Sequence, residues 1–319
     1  MKIIFFFLLM AKSPLKVEII FTSNINGNFG KSKATWINPD FPPVLGGFES
    51  LYELVKNERE LAEKNDLLLL LFDTGNFTGG FITGDNLKPD SIAFLMNLLK
   101  YDAINLGVKE LILFPVTARN FSFLPQTMRL SEYLSKFNTT FISSNLQIYD
   151  KSYTDLVKPY KIVNYKGVKI GIFGLISENT PFFMYQDAYI SPGSSNIKIY
   201  KEYEIAKKMV EKLKSEGCDI IIMLSSIGYY RERFIARDVP GIDLILGGFD
   251  GFGERTAYID PVNHTIVLRN YDYLSQIGKI ILYVDPLSKT IVNFNYIPVT
   301  PFEEEFTPLA PIEETEDQE

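Results

Sequence analysis

Histidine and cysteine, the side chains that most readily act as base and nucleophile near neutral pH, are almost missing from this chain. Its 319 residues include one histidine, His264, and one cysteine, Cys218. A disulfide within the chain and a zinc site built on several Cys or His are therefore excluded. Any Ser-His-Asp or Cys-His mechanism has to run through His264. That residue closes Asp260-Pro261-Val262-Asn263-His264, which has the composition of a hairpin turn. Cys218 immediately precedes an apolar run and reads as a small, semi-buried thiol rather than a nucleophile.

More chemistry is spread over five short segments: Thr22-Ser23-Asn24-Ile25-Asn26-Gly27-Asn28, Asp73-Thr74-Gly75-Asn76, Gly107-Val108-Lys109-Glu110, Ser225-Ser226-Ile227-Gly228 and Gly247-Gly248-Phe249-Asp250-Gly251. Asn24, Asn26, Asn28 and Asn76 can line a pocket for a neutral ligand, or satisfy one another and water. The Lys109 ammonium can hold an anion such as phosphate or sulfate, pair with Glu110 or another nearby acid, or stand in solvent. Asp73, as a single carboxylate, is expected to accept from turn amides rather than to bind a metal, and Asp250 reads as a turn residue.

Each segment follows an apolar run. Val17–Phe21, Leu67–Phe72, Ala103–Leu106, Thr140–Ser143, Val168–Phe173, Ile220–Leu224 and Leu244–Leu246 lack polar alternation, as strands covered on both faces do. Helical spacing falls between them. It begins at Gly47, again at Pro89-Asp90 through Leu99, and over Tyr203–Ser215 with Gly217 after its end. The last third changes character, with Thr256–Ile259, Thr265–Leu268, Gly278–Val284 and Ile291–Ile297 joined as hairpins. The sum is one layered α/β domain with an antiparallel portion near its C-terminus. In such sheets ligands bind beyond the carboxyl ends of the strands, where the five segments lie.

The composition is that of an ordinary globular protein, 46% hydrophobic and 22% charged. The net charge of −7 is concentrated at the end, since the last seventeen residues from Glu303 carry eight acids and no base. The near-neutral body offers no basic stripe, so no nucleic-acid partner is expected. Residues 303–319 read as a solvated acidic tail. At the other end, Met1-Lys2 and the apolar run Ile3–Met10 before Ala11 read as an export signal, so residues 1–14 are set apart from the domain at 15–302 and a periplasmic or extracellular location is expected. The run is too short to span a bilayer, and no other stretch is long enough.

In their order, the five segments resemble the calcineurin-like metallophosphoesterases, and within them the catalytic domain of the periplasmic 5′-nucleotidase group. That group shows Asn-Asp-Ile-His-Gly-His, Asp-x-Gly-Asp, Leu-Gly-Asn-His-Glu, Leu-Ser-His-Leu-Gly and Gly-Gly-His-x-His. Gly46-Gly47 and the stretch from Pro159 through Leu175 are similar as well, so the resemblance covers roughly residues 16–300. It implies a four-layered α/β/β/α sandwich. It also implies where two divalent metals and a catalytic histidine sit in the family. The metal-ligand positions hold Asn24, Asn26, Asn76, Val108, Ser226, Phe249 and Gly251, and the catalytic-histidine position holds Lys109. All eight depart from the family, while the turn glycines Gly27, Gly75, Gly107, Gly247 and Gly248 are kept.

Such a set lacks the hard oxygen donors and imidazoles that a two-metal site needs, so no cofactor is expected. Asn24 and Asn76 also remove two negative charges that would repel without a cation between them. The expectation is a non-catalytic pseudo-phosphoesterase acting as a binding or partner protein, toward an unidentified protein or a small anionic or polar ligand. Two alternatives stand beside it: a metal-independent hydrolase of phosphate or sulfate esters around Lys109, with Asp73 or Asp250, and a structural subunit beside an active paralogue. The nucleotidases of the group carry a second domain that grips the base between aromatics. The acidic tail stands in its place, so nucleotide specificity is not expected.

Overall fold

The computed structural model describes residues 13–79, 89–113, 129–149, 151–153, 155–179 and 197–306, with the side chains of residues 112 and 113 excepted. The apolar run at residues 3–10 and the tail beyond residue 306 lie outside them. In chain order the strands and helices are β1 (Leu15–Thr22), β2 (Ser32–Lys33), β3 (Val44–Leu45), α1 (Gly47–Lys64), β4 (Leu68–Asp73), α2 (Pro89–Leu99), β5 (Ala103–Asn105), α3 (Val108–Leu113) and α4 (Leu130–Leu134). They continue with β6 (Phe141–Ile142), β7 (Leu146–Ile148), β8 (Val157–Lys158), β9 (Tyr160–Tyr165), β10 (Val168–Ile176), β11 (Ile197–Ile199), α5 (Glu202–Ser215), β12 (Ile220–Ser226) and α6 (Tyr229–Asp238). The last are β13 (Leu244–Gly247), β14 (Tyr258–Ile259), β15 (Ile266–Arg269), β16 (Ile277–Val284) and β17 (Ile291–Val299).

Among the described residues two large sheets form, ordered β17-β16-β1-β4-β5-β6-β8 and β14-β15-β13-β12-β10-β9. Strand alternation explains how they stack. In β1, Val17, Ile19 and Phe21 face a core shared with Ile170, Ile172, Ile220, Ile222 and Leu224 of the second sheet, while Ile20 faces the other way, toward Leu51, Leu54 and Val55 of α1. In β12 the odd partners Ile221 and Met223 turn toward Ala206, Met209 and Leu213 of α5. Three apolar layers between four structural ones make the α/β/β/α sandwich, and they explain why the strands lack polar alternation.

The strands carrying the five segments run parallel in each sheet: β1 beside β4 and β4 beside β5, and β10, β12 and β13 side by side. Their C-terminal ends therefore open toward one edge of the sandwich. The expected C-terminal hairpins exist, since β14 pairs antiparallel with β15 and β16 with β17. They do not form a portion of their own. β15 also continues the second sheet in parallel beside β13, while β16 inserts beside β1 in the first. Two features differ from the sequence reading. Tyr229–Asp238 is a helix, and the start of the acidic stretch is folded rather than free. Glu303–Glu305 form a 3-10 turn, Lys31 pairs with Glu303 at 2.7 Å, and Phe302 bridges to Leu45.

Candidate functional site

The loop after β1 is pinned to the loop after β4 by backbone bonds from Asn24, Asn26 and Gly27 to the carbonyls of Gly75, Asn76 and Phe77. This close approach requires left-handed backbone at Asn24 (φ 47°), Asn26 (57°) and Asn76 (59°), a region that Asn tolerates better than most residues. Gly107 is required for space, since a Cβ there would lie 2.2 Å from Asn76 Oδ1. Three asparagines are thus brought together at the mouth of the first sheet. Asn76 Nδ2 donates to Asn24 Oδ1 at 3.1 Å, and the Phe249 amide donates to the same oxygen at 3.1 Å. The Lys109 amide donates to Asn76 Oδ1 at 3.1 Å.

Lys109 and Glu110, adjacent on α3, diverge. Lys109 Nζ donates to Asn26 Oδ1 at 2.6 Å. Glu110 is fully buried and accepts from the amides of Asn76, Thr78 and Gly107 and from the Thr78 hydroxyl. Of the alternatives for Lys109, pairing with Glu110 is therefore not the arrangement found: the carboxylate serves the turn amides instead. Burial pulls the Lys109 ammonium below its usual range, opposed by the negative fields of Glu110 and Asp272. Val108 starts the same helix and is buried as an apolar side chain.

Asp73 accepts from the Gly75 amide at 2.8 Å and from the Thr22 hydroxyl at 2.6 Å, as a turn-bracing carboxyl does. Complete burial pushes it up to about 8, against the lowering effect of those donors.

The second sheet supplies the opposite wall. Ser226 ends β12, fully buried, and its hydroxyl has no partner among the described residues. Phe249 stands in the loop after β13 with φ 92°, which a side chain rarely adopts. Gly251 lies against Asp272, whose carboxylate would sit 3.0 Å from a Cβ at that position. Asp250 does more than shape a turn. It pairs with the buried Arg269 guanidinium, and its other oxygen accepts from the Tyr229 amide at the start of α6 at 2.7 Å. Arg269 also pairs with fully buried Glu232 of α6 and donates to the carbonyls of Gly248 and Phe252. Burial raises the Glu232 carboxyl, and Arg269 opposes it.

Asn24, Asn26, Asn76 and Lys109 are joined directly, with Phe249 bonded to them through its amide. His264 stays apart: it is exposed, left-handed at φ 58°, and lies in the turn that precedes β15, at the end of the strand away from Arg269. Cys218 is half-buried with its thiol pushed up by burial. Sequence reasoning passed over Arg269, Glu232 and Asp272. An arginine ending a four-residue apolar strand was the only signal in the chain.

The donors present do not suit a pair of divalent ions. Val108, Phe249 and Gly251 offer no side-chain donor, the Oδ1 atoms of all three asparagines already accept from N–H groups, and an ammonium stands beside Asn26.

No protein-family model matches the chain. Among curated proteins it is similar to the snake venom 5′-nucleotidase of Gloydius brevicauda, 30% identical over 223 residues, covering 68% of this chain and 34% of that protein. It is also similar to the 5′-nucleotidase of Homo sapiens, 30% identical over 208 residues, covering 64% and 32%. The chain thus spans about a third of the length of the curated relatives it matches. Among solved structures it superposes on a 5′-nucleotidase precursor from Thermus thermophilus with a TM-score of 0.74 at 19% identity, covering 92% of this chain and 56% of that one. On the calcineurin-like phosphoesterase YfkN from Bacillus subtilis the TM-score is 0.64 at 20% identity, covering 92% and 93%.

Proposed function

We propose, from the premise that this chain is a homologue of the 5′-nucleotidases with the calcineurin-like phosphoesterase fold, that it is a non-catalytic member in which the cleft binds rather than hydrolyses. The observation that carries this reading is the hydrogen bond from Asn76 Nδ2 to Asn24 Oδ1. Two carboxylates at that distance need a cation between them. An amide pair needs none, because one side chain donates where the other accepts. Lys109 extends the same arrangement, its ammonium held by a neutral amide where a metal-ligand position would otherwise face a cation.

Hydrolysis of a phosphate ester needs an activated water or nucleophile. A water brought near neutral pKa by a metal is the route that these donors do not support. Lys109 can still serve as an acid, but Asp73 is enclosed by Thr22 and Gly75, and Asp250 is committed to Arg269 and Tyr229. Neither carboxyl is therefore free to serve as the base of a metal-independent hydrolase. The apolar N-terminal run and the snake venom proteins among the relatives support an exported protein; no helix among the described residues is long and apolar enough to cross a membrane.

The test is metal content and turnover of the purified protein, with nucleoside 5′-monophosphates and other phosphate esters as substrates and Mn2+ or Zn2+ added. Substoichiometric metal and turnover at background are expected. Stoichiometric metal accompanied by robust turnover ends the reading.

A further inference from the structure

Lys109 presents an electrostatic problem that the rest of the described chain leaves unsolved. Its side chain is half-buried, and its one hydrogen bond among the described residues goes to the neutral Asn26 amide oxygen. The two acids whose fields reach it do not pair with it: Glu110 is held by three backbone amides and the Thr78 hydroxyl, and Asp272 lies outside ion-pair distance. Desolvating an ammonium without a counter-ion is costly, and the usual remedy is an acceptor-rich anion.

The surrounding donors point the same way. Asn24 is 2% exposed, its Oδ1 accepts twice, and its Nδ2 has no partner among the described residues. Asn24 is tied to Lys109 through Asn76, which donates to Asn24 and accepts from the Lys109 amide. The hydroxyls of Ser23, Thr74 and Ser226, buried at the C-terminal ends of β1, β4 and β12, also lack partners among those residues. Gly248 closes against this group, since a Cβ there would lie 2.6 Å from Thr74 Oγ1 and 3.1 Å from the Ser23 side chain. Unpartnered N–H and O–H groups at the ends of β1, β4 and β12, linked through Asn24 and Asn76 to a lysine with no ion-pair partner among the described residues, make a donor-rich floor.

We infer that this floor is a metal-free receptor for a small oxyanion or carboxylate, with Lys109 Nζ supplying the charge and Asn24 Nδ2 and the strand-end hydroxyls supplying neutral donors. The inference rests on the non-catalytic reading above and names the ligand class for the same cleft. The amides fix orientation without adding charge, so the single ammonium is balanced by one negative charge on the ligand. A neutral polyol would engage the same hydroxyls but leave the ammonium uncompensated.

The test is isothermal titration of the full chain, pretreated with EDTA, using phosphate, sulfate, acetate and malonate separately, with glycerol as the neutral control. Saturable binding of at least one anion at millimolar concentration or below is expected, with none for glycerol. Lys109→Met should weaken it on the order of tenfold or more, because a charge-assisted hydrogen bond is lost. Lys109→Arg should keep most of it, and far-UV dichroism should show both variants folded. Which anion binds separates phosphate and sulfate sources from carboxylates. No anion binding up to roughly 20 mM overturns the inference, as does equal binding by Lys109→Met, which would mark an adventitious ion elsewhere. If no anion binds and the protein also holds no metal, the inference falls alone. If anions bind only after Mn2+ or Zn2+ is restored, the non-catalytic reading falls with it.

Discussion

Asn24 and Asn76 are acceptable in left-handed backbone as Asp would be, so the turns alone do not select amide over carboxylate. The selection comes from the contact between their side chains, in which one must donate. The double variant Asn24→Asp/Asn76→Asp should therefore unfold more easily than the two single changes predict when added, by about 1–3 kcal/mol. Two facing carboxylates raise the pKa of one of the pair, so the stability shared with the protonated form is present at low pH and lost as pH rises. The excess should be larger at pH 8 than at pH 5 in urea unfolding. Strict additivity at both values would show that the amide pair is incidental.

Among the elements, α6 and the loop after β13 are organised by one buried guanidinium. α6 buries only Glu232, Ile235 and Ala236 among its ten residues, too thin an apolar stripe to dock it by burial alone. Arg269 joins it to the sheet through Glu232, and joins the loop through Asp250 and the carbonyls of Gly248 and Phe252. Arg269→Met should cost about 3–5 kcal/mol, because it strands the Glu232 carboxylate inside the protein. Adding Glu232→Gln should recover part of that loss, since the stranded charge is gone. If the second change brings no recovery in urea unfolding, the triad acts by packing rather than by charge.

Across the molecule, several carboxyls are held high by burial. Asp73 is pushed up to about 8. Glu18, also raised by Glu58 and opposed by Lys279, is pushed to about 7, and Asp243 to about 6. Each folded value lies above the unfolded one, so the folded state binds more protons through the interval between them. Stability from these groups is complete below the unfolded values and is lost as pH rises through the folded ones, at up to about 1.4 kcal/mol per pH unit for each proton. The urea midpoint should fall steadily from about pH 4 to about pH 8. Asp73→Asn keeps an oxygen for the Gly75 amide and leaves Thr22 free to donate to Tyr101, 2.8 Å away, so it should flatten the slope, most clearly between pH 6 and 8. A slope unchanged by the substitution would place the pH dependence elsewhere.

The strands were legible in the order of residues alone, because continuous apolar runs such as Ile220–Leu224 fit only elements covered on both faces. So was the placement of the five segments, because turn glycines and polar residues break those runs at the same end of each strand. The register of donors could not be read that way. Whether Lys109 meets Glu110 or Asn26 depends on how α3 sits over the β1 loop, 83 residues away in the chain. Whether Asp250 shapes a turn or balances a charge depends on Arg269 arriving from β15 beside β13. Periodicity reports which face of an element is buried. Only tertiary packing decides which polar atoms share that burial, and hence that Asn76 bonds to Asn24 while the Lys109 ammonium donates to a neutral amide oxygen.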